Sequence, residues 1–306
     1  MSFSKRMSRI KPYGIRAVQK RIAGKSDMIS FAAGLPDPAL YPLEDLRKAA
    51  DTMLEKEGAT AFAYGLTKGY GPLLDYLTDR MNNREHVECT KENICILSGS
   101  QQGLGLAAMT FLDEGDVVIT ENPSYLGAIN AFRPYGAEFV GVDTDDNGIV
   151  IEDLERALEE NPKTKLIYVI PNFQNPTGKA WTLERRERFM EVVAKYDVAV
   201  VEDNPYGDLR FKGEPLPHLR ALDKKGQVIY LGSFSKILSP GMRVAWTCAS
   251  KEVATAFESL KETNDLQSPE LTQMLTYYYL KMFDLEKHIE EIQVVYKERC
   301  ELMVEM

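Results

Sequence analysis

Short apolar runs alternate with amphipathic stretches through the middle of the chain. Helical patterns at 125–132, 152–160 and 183–195 separate runs of mostly apolar residues that are typical of buried strands. Strands that alternate with helices and are apolar throughout predict an α/β fold with a mostly parallel sheet, flanked by helices on both faces. Seven strands are predicted, at 94–97, 117–120, 138–142, 166–170, 198–202, 228–231 and 244–248.

The two ends of the chain differ from this middle part. The N-terminal arm is weakly patterned, with a short helical piece around 15–22, and Pro42 opens a helix that runs to about Glu57. The C-terminal stretch has apolar positions at a helical period. We therefore predict three parts: an arm and small-domain segment at 1–45, a large α/β domain at 46–270, and a linking helix at 271–306 that opens an incomplete second domain.

The composition argues against several classes of function. With 46 acidic and 37 basic residues the net charge is −9, so a nucleic acid is not expected as the main partner. No apolar run reaches the roughly 20 residues that a membrane helix needs, and no membrane partner is expected. The four cysteines form no CxxC pair and the three histidines are scattered, so neither a metal site nor a disulfide framework is expected. A reducing cytoplasm is the expected compartment.

One lysine has an unusual setting. Lys236 follows the strand at 228–231 and comes just after Ser233 and Ser235, with Arg243 seven residues further on. Partial burial would lower the pKa of this amine from about 10.4, and a neutral amine can attack a carbonyl to form a Schiff base. The two serines and the arginine are suited to hold an anion such as a phosphate. Taken alone, the pattern also fits an ordinary lysine in a surface loop.

Polar residues also follow other predicted strands, where parallel sheets bind their ligands. Asp203 ends a buried strand, where a carboxylate is costly unless it is paired, and Tyr206 follows three residues later. A protonated heterocyclic nitrogen is a suitable partner for such a carboxylate. Asn175 lies in a loop fixed by two prolines and a glycine, and its amide can reach a ligand oxygen.

Two more strand ends carry residues suited to a ligand. Ser100 and Gln101 stand at a helix N-terminus, which favours an anion, and Tyr125 can stack on a flat ring. Each feature also has a plain structural explanation. These are a polar helix cap at Ser100, a half-buried core tyrosine, a simple turn at Asn175 and a salt bridge at Asp203.

Together the motifs resemble those of one family. Asn175-Pro176-Thr177-Gly178, Asp203 with Tyr206, and Ser233-x-Ser235-Lys236 with Arg243 resemble the motifs of the fold-type I, class I and II aminotransferases, which use pyridoxal phosphate (PLP). Their order and spacing match from residue 34 to about residue 306. The stretches at 98–103 and 171–175 are most similar to those of the 2-aminoadipate and kynurenine aminotransferases.

The resemblance implies transfer of an amino group between an L-amino acid and a 2-oxo acid such as 2-oxoglutarate. It implies that Lys236 holds PLP as a Schiff base and carries the proton, and that Asp203 keeps the ring nitrogen protonated. Tyr206 would bind the ring oxygen and tune the Schiff base. A homodimer is implied, in which Tyr64 reaches the phosphate of the neighbouring subunit. The other cofactor contacts implied are Ser100, Gln101, Tyr125, Asn175, Ser233, Ser235 and Arg243.

The substrate residues are less specific. The resemblance implies that Gly34 and Asn175 line the substrate side, and that Arg16 reads a side-chain carboxylate, although a surface arginine also explains Arg16. The family's arginine for the α-carboxylate lies in a C-terminal domain, and only Arg299 follows Arg243 here. We therefore expect a truncated chain that binds PLP and has poor or no turnover.

Of three alternative functions, one remains open and two are disfavoured. A PLP-dependent lyase or decarboxylase of the same fold would share all of these strand-end residues. A sensor fused to a winged-helix DNA-binding module is disfavoured by the acidic balance. A nicotinamide dehydrogenase is disfavoured because the spacing of Gly99, Gly103 and Gly105 does not fit the dinucleotide fingerprint.

Overall fold

The computed structural model describes residues 1–10 and 34–306 of the chain. The helical piece expected around 15–22 and the candidate residue Arg16 lie outside the described residues. No helix in the described part of the chain combines the length and the apolar character that crossing a bilayer requires. Its α-helices are α1 (Lys5–Ser8), α2 (Leu43–Ala61), α3 (Gly71–Asn83), α4 (Ser100–Phe111), α5 (Leu126–Phe132), α6 (Ile151–Glu160), α7 (Leu183–Val193), α8 (Leu219–Leu222), α9 (Lys251–Asn264), α10 (Glu270–Met282) and α11 (Leu285–Glu305).

An eight-stranded sheet forms the centre of this structure. Its strands are β1 (Ile94–Leu97), β2 (Val117–Asn122), β3 (Glu138–Asp145), β4 (Gly148–Ile149), β5 (Thr164–Val169), β6 (Ala199–Asn204), β7 (Val228–Ser233) and β8 (Ala245–Cys248). In space they follow the order β1-β8-β7-β6-β5-β2-β3-β4. The pairs from β7 to β3 are parallel, whereas β8 is antiparallel to both β1 and β7, and β4 is antiparallel to β3.

The α/β fold with a mostly parallel sheet is confirmed, but the prediction of seven strands is wrong. The additional strand is Gly148–Ile149, which pairs with Thr144 and Asp145 at the edge of the sheet. Two residues are too few to produce a recognisable pattern. Gly148 has a φ of +122°, and a Cβ there would lie 2.6 Å from the ring of Trp181, so this turn requires a glycine.

The helices differ from the predictions mainly at their ends. Helix α2 begins directly after Pro42, as predicted, but it continues to Ala61 instead of ending at Glu57. Glu57 has a φ of −138°, so the regular geometry is interrupted where the helix was expected to end. The stretch 271–306, predicted as a single linking helix, is divided between α10 and α11. Asp284 separates them and caps α11 by accepting a hydrogen bond from the Glu286 N–H at 3.0 Å.

The strand directions bring five chain segments to one edge of the sheet. Because β8 is antiparallel to both β1 and β7, those two strands point the same way, and β2, β5 and β6 run parallel to β7. The carboxyl ends of β1, β2, β5, β6 and β7 therefore lie at the same edge. Helices cover both faces: α4, α5 and α9 pack on one through Leu104, Phe132 and Phe257, and α6 and α7 pack on the other through Leu154 and Phe189.

Candidate active site

A cavity lies at this edge of the sheet. All of the predicted cofactor residues except Tyr64 line it, and they arrive there from five separate segments of the chain. These are Ser100, Gln101, Tyr125, Asn175, Asp203, Tyr206, Ser233, Ser235, Lys236 and Arg243. Leu104, Ile170, Pro205 and Pro240 supply the apolar part of the lining.

Asp203 lies at the bottom of the cavity, near the end of β6. Its side chain is only 3% exposed, and its Oδ2 accepts a hydrogen bond of 2.9 Å from the Tyr168 hydroxyl. Its Oδ1 is buried and has no hydrogen-bond partner among the described residues. Burial raises the pKa of the carboxyl to about 6, against the opposing effects of the Tyr168 hydroxyl and the Lys236 charge. Oδ1 is thus a buried acceptor that faces a ligand site.

Lys236 occupies the turn after β7 and is half-buried. Burial lowers the pKa of its amine, the positive charge of Arg243 lowers it further, and the charge of Asp203 opposes both. Its Nζ lies 5.9 Å from the centre of the Tyr206 ring. Because its pKa is lowered, Lys236 has a larger neutral fraction at neutral pH than an exposed lysine. The neutral amine is the form that attacks a carbonyl.

The N-terminus of α4 forms another wall of the cavity. Gly99 precedes the helix with a φ of +86°, and the buried Ser100 hydroxyl has no hydrogen-bond partner among the described residues. Arg243 also has a left-handed backbone, with a φ of +53°, and its Nη2 donates to the Ser98 carbonyl at 3.2 Å. A Cβ on Gly99 would lie 1.9 Å from this guanidinium. Free N–H groups, a hydroxyl and a guanidinium therefore converge at one end of the cavity.

The remaining lining residues are held by neighbouring segments. The Asn175 Nδ2 donates to the Tyr206 hydroxyl at 3.3 Å, which joins the loop after β5 to the loop after β6. The Ser233 Oγ accepts the Ser235 N–H at 3.0 Å and so shapes the turn that carries Lys236. The Gln101 Nε2 donates to the backbone carbonyl of residue 127 at 3.1 Å, so this end of its carboxamide points to α5.

Two predicted site residues that the structure describes do not line the cavity. Tyr64 follows α2 and is 87% exposed. Gly34 is exposed and has a φ of +50°, and it does not line the cavity. Arg16 lies outside the described residues.

Sequence reasoning missed Tyr168, which is fully buried in β5 and contacts Asp203 directly. The available signal was a tyrosine within an otherwise aliphatic run, whose hydroxyl needs a partner when it is buried. That partner is on β6, where Tyr168 pairs with Val201 in the register of the two strands. The contact exists because β5 and β6 are adjacent in the sheet. This adjacency cannot be read from the sequence of either strand.

Known proteins are similar to this chain in sequence and in fold. Aromatic-amino-acid aminotransferase 1 of Thermococcus litoralis is 40% identical to it, over 99% of this chain and 73% of its own length. The crystal structure of Pyrococcus horikoshii kynurenine aminotransferase superposes with a TM-score of 0.94 at 39% identity, and covers 99% of this chain and 76% of its own.

A third similar protein was solved with a cofactor adduct. It is the α-aminoadipate aminotransferase LysN of Thermus thermophilus, in complex with N-(5'-phosphopyridoxyl)-L-leucine. Its TM-score is 0.90 at 38% identity, and the match covers 99% of this chain and 75% of that one. The model of the family described as aminotransferase class I and II matches residues 26–305. The resemblance inferred from the motifs is therefore confirmed, and the chain belongs to the class I and II aminotransferases, a PLP-dependent family of fold type I.

Proposed function

We propose that the cavity binds PLP and that Lys236 and Asp203 act there in amino transfer between an L-amino acid and a 2-oxo acid such as 2-oxoglutarate. The observation that carries this proposal is that one cavity contains both a half-buried amine and a buried carboxylate oxygen that has no hydrogen-bond partner among the described residues. When bound, PLP supplies a carbonyl carbon for amines and a protonated ring that accepts electrons from the substrate Cα.

The buried oxygen of Asp203 fits the ring nitrogen of PLP. A carboxylate in this position is costly unless a positive partner compensates it, and a pyridinium N–H is both a cation and a donor. Tyr168 occupies the other oxygen and leaves Oδ1 for the ligand. Asp203 would thereby hold the proton on the ring nitrogen, which keeps the ring able to accept electrons.

The opposite end of the cavity fits the phosphate. The N-terminus of α4 offers unpaired N–H groups and the positive end of the helix dipole. The hydroxyls of Ser100, Ser233 and Ser235 and the guanidinium of Arg243 add donors and positive charge. We assign these four residues to the phosphate, with Gln101 beside them.

Three residues would orient the ring between these two ends. Tyr125 offers an aromatic face, and the Asn175–Tyr206 pair offers an N–H and an O–H to the ring oxygen. Lys236 would move the proton: its Nζ, whose pKa is lowered by burial and by Arg243, would take the proton from the substrate Cα and deliver it to the carbonyl carbon of the cofactor. Asn175 and Gly34 are assigned to the substrate side.

We also propose that the protein is a homodimer with shared sites. Phe62, Tyr64 and Leu66 are 74%, 87% and 71% exposed, and a run of large exposed side chains at one place is typical of a protein–protein interface. Tyr64 would extend from this surface to the phosphate site of the second copy.

We further propose the three-part division of the chain: an arm and small-domain segment at 1–45, a large α/β domain at 46–270 and a linking segment at 271–306.

The test is a titration of the purified chain with PLP, followed by amino acids and 2-oxo acids. We expect visible absorbance on binding, loss of that band with an L-amino acid, and its return with 2-oxoglutarate. The panel should include aromatic amino acids, kynurenine and 2-aminoadipate, because the similar proteins are named for these substrates. Product formation without any 2-oxo acid would instead indicate a lyase, and no spectral change would contradict PLP binding.

Tyr168→Phe is expected to weaken PLP binding about tenfold near neutral pH, because Asp203 loses a donor to its charged form. The hydroxyl lowers the pKa of Asp203, so its removal moves that pKa further above about 6. The loss of affinity should therefore be larger near pH 6 than in alkaline solution, where the carboxyl is ionised in both proteins. PLP affinity measured by absorbance across this pH range checks the prediction.

Tyr230→Phe is the matched control for this experiment. Tyr230 is also a buried tyrosine on a strand next to β6, but its hydroxyl accepts a hydrogen bond of 2.9 Å from Asn204. Its removal should leave the pH profile of PLP binding unchanged. Identical profiles for Tyr168→Phe and Tyr230→Phe would show that the Tyr168 hydroxyl has no specific effect on Asp203.

A further inference from the structure

Glu121 is a buried carboxylate in β2 that the mechanism above does not use. Glu121 is 1% exposed, and no cation among the described residues pairs with its carboxylate. We propose that Glu121 is a positioning residue that holds the Asn175 segment against the Tyr125 segment and thereby sets the width of the cofactor cavity. The inference rests on the proposed function in so far as it concerns PLP.

The two carboxylate oxygens of Glu121 bind the residues on either side of the segment 171–180, which contains Asn175. Oε2 accepts the backbone N–H of Ile170 at 2.9 Å, and Oε1 accepts the indole N–H of Trp181 at 3.0 Å. Ile170 precedes this segment and its side chain lines the cavity, while Trp181 follows it. One side chain thus joins the beginning and the end of residues 171–180.

The segment forms a closed loop above this junction. The Trp181 N–H donates to the Pro171 carbonyl at 2.8 Å, and the Gln174 N–H donates to the Lys179 carbonyl at 2.8 Å. Trp181 itself is fixed in the core, since it is 1% exposed and its ring meets Phe189 edge to face at 5.2 Å. Glu121 therefore connects the base of the loop to a rigid part of the protein.

The same carboxylate lies four residues before Tyr125 on the opposite wall. The two walls are also joined by Gln174, whose Nε2 donates to the Pro123 carbonyl at 2.8 Å. The Gln174 Oε1 accepts the N–H and the hydroxyl of Thr177 at 2.9 and 2.8 Å, next to Asn175. A shift at Glu121 would hence move the ring-stacking wall relative to the wall that holds the ring oxygen.

A carboxylate is the group that this position requires, because it must accept from two N–H donors at once. In Glu121→Gln the carboxamide retains the size but presents an NH₂ group to one of these donors, so one hydrogen bond is lost. Glu202→Gln is a matched control. Glu202 is also fully buried in the sheet and accepts two N–H groups at 2.9 Å, but these belong to Leu219 and Arg220, away from the cavity.

The first test measures amide hydrogen exchange in the chain without PLP. Burial raises the pKa of Glu121 to about 7, so the comparison is made at about pH 8.5, where the wild-type carboxyl is ionised. We expect the amides of Gln174, Gly178 and Trp181 to exchange about tenfold faster in Glu121→Gln and at the wild-type rate in Glu202→Gln. Unchanged exchange in Glu121→Gln would overturn the inference.

The second test measures PLP affinity in the same variants by absorbance. We expect binding about tenfold weaker in Glu121→Gln and unchanged in Glu202→Gln. Wild-type chain that fails to bind PLP would contradict the proposed function. Normal binding by wild type and by Glu121→Gln alike would contradict only the role of Glu121.

A further variant covers the case in which Glu121→Gln does not fold. Trp181→Phe removes the indole N–H and leaves an aromatic ring in the core. We expect it to weaken PLP binding and to accelerate exchange in residues 171–180 about as much as Glu121→Gln, because each variant loses one of the two hydrogen bonds of Glu121. Wild-type exchange and affinity in Trp181→Phe would overturn the inference on their own.

Discussion

Replacing Lys236 with alanine is expected to lower the rate of amino transfer by about 10⁴-fold and to abolish covalent retention of PLP. Lys236 is expected to be the reactive amine because its half-buried Nζ lies in the cavity. Burial and the charge of Arg243 lower the pKa of this amine. Borohydride reduction of the wild-type protein with PLP should leave the cofactor attached to the peptide that contains residue 236. Mass spectrometry of wild-type and Lys236→Ala digests measures this directly.

Lys236→Arg is the informative control, because it retains the positive charge near Asp203 and Tyr206 but removes the nucleophile. We expect it to be as inactive as Lys236→Ala and to yield no labelled peptide. Activity of Lys236→Arg near the wild-type level would show that the residue acts through its charge alone. Attachment of PLP to another peptide in the wild-type protein would place the reactive amine elsewhere.

Replacing Asp203 with asparagine is expected to lower the rate of amino transfer by about 10²- to 10³-fold, the range that corresponds to removing one partner of a buried charge pair. Asparagine has nearly the same size and still accepts the hydroxyl of Tyr168 through its carbonyl oxygen. It does not carry the negative charge that holds a proton on the ring nitrogen. The rate of the half-reaction with an L-amino acid, followed by the loss of visible absorbance, measures the effect.

The pH profile separates this role of Asp203 from a structural one. The carboxyl has a pKa of about 6, raised by burial, and only its ionised form can pair with a pyridinium. Wild-type affinity for PLP should therefore fall as the pH decreases through about 6, and Asp203→Asn should lack this step. A wild-type rate in Asp203→Asn, or the same step in both proteins, would contradict the assignment.

Asp203 and Lys236 were predictable because each is an ionisable residue at the end of an apolar run, where a sheet core does not require one. The parallel strands then place such ends at one edge, so the residues were expected to meet. Tyr64 was predictable only through the resemblance, since the residue pattern around it does not point to a ligand.

Tyr168 and Glu121 could not be predicted in the same way. Each lies inside a strand, and its partner belongs to another strand or loop: Asp203 on β6 for Tyr168, and Ile170 after β5 for Glu121. The sheet order places β2 beside β5, although β3 and β4 lie between them in the sequence. Polar contacts between such neighbours depend on topology, which residue patterns along a single strand do not encode.

The close approach of Gly99 to Arg243 has a consequence for protein engineering. A gene library randomised at codon 99 should return functional clones that encode glycine alone. Any other residue would strain a backbone with a φ of +86° and would displace the guanidinium that lies 1.9 Å from the position of a Cβ. Sequencing of the surviving clones would reveal this restriction, and a surviving alanine would show that the arginine tolerates a different rotamer.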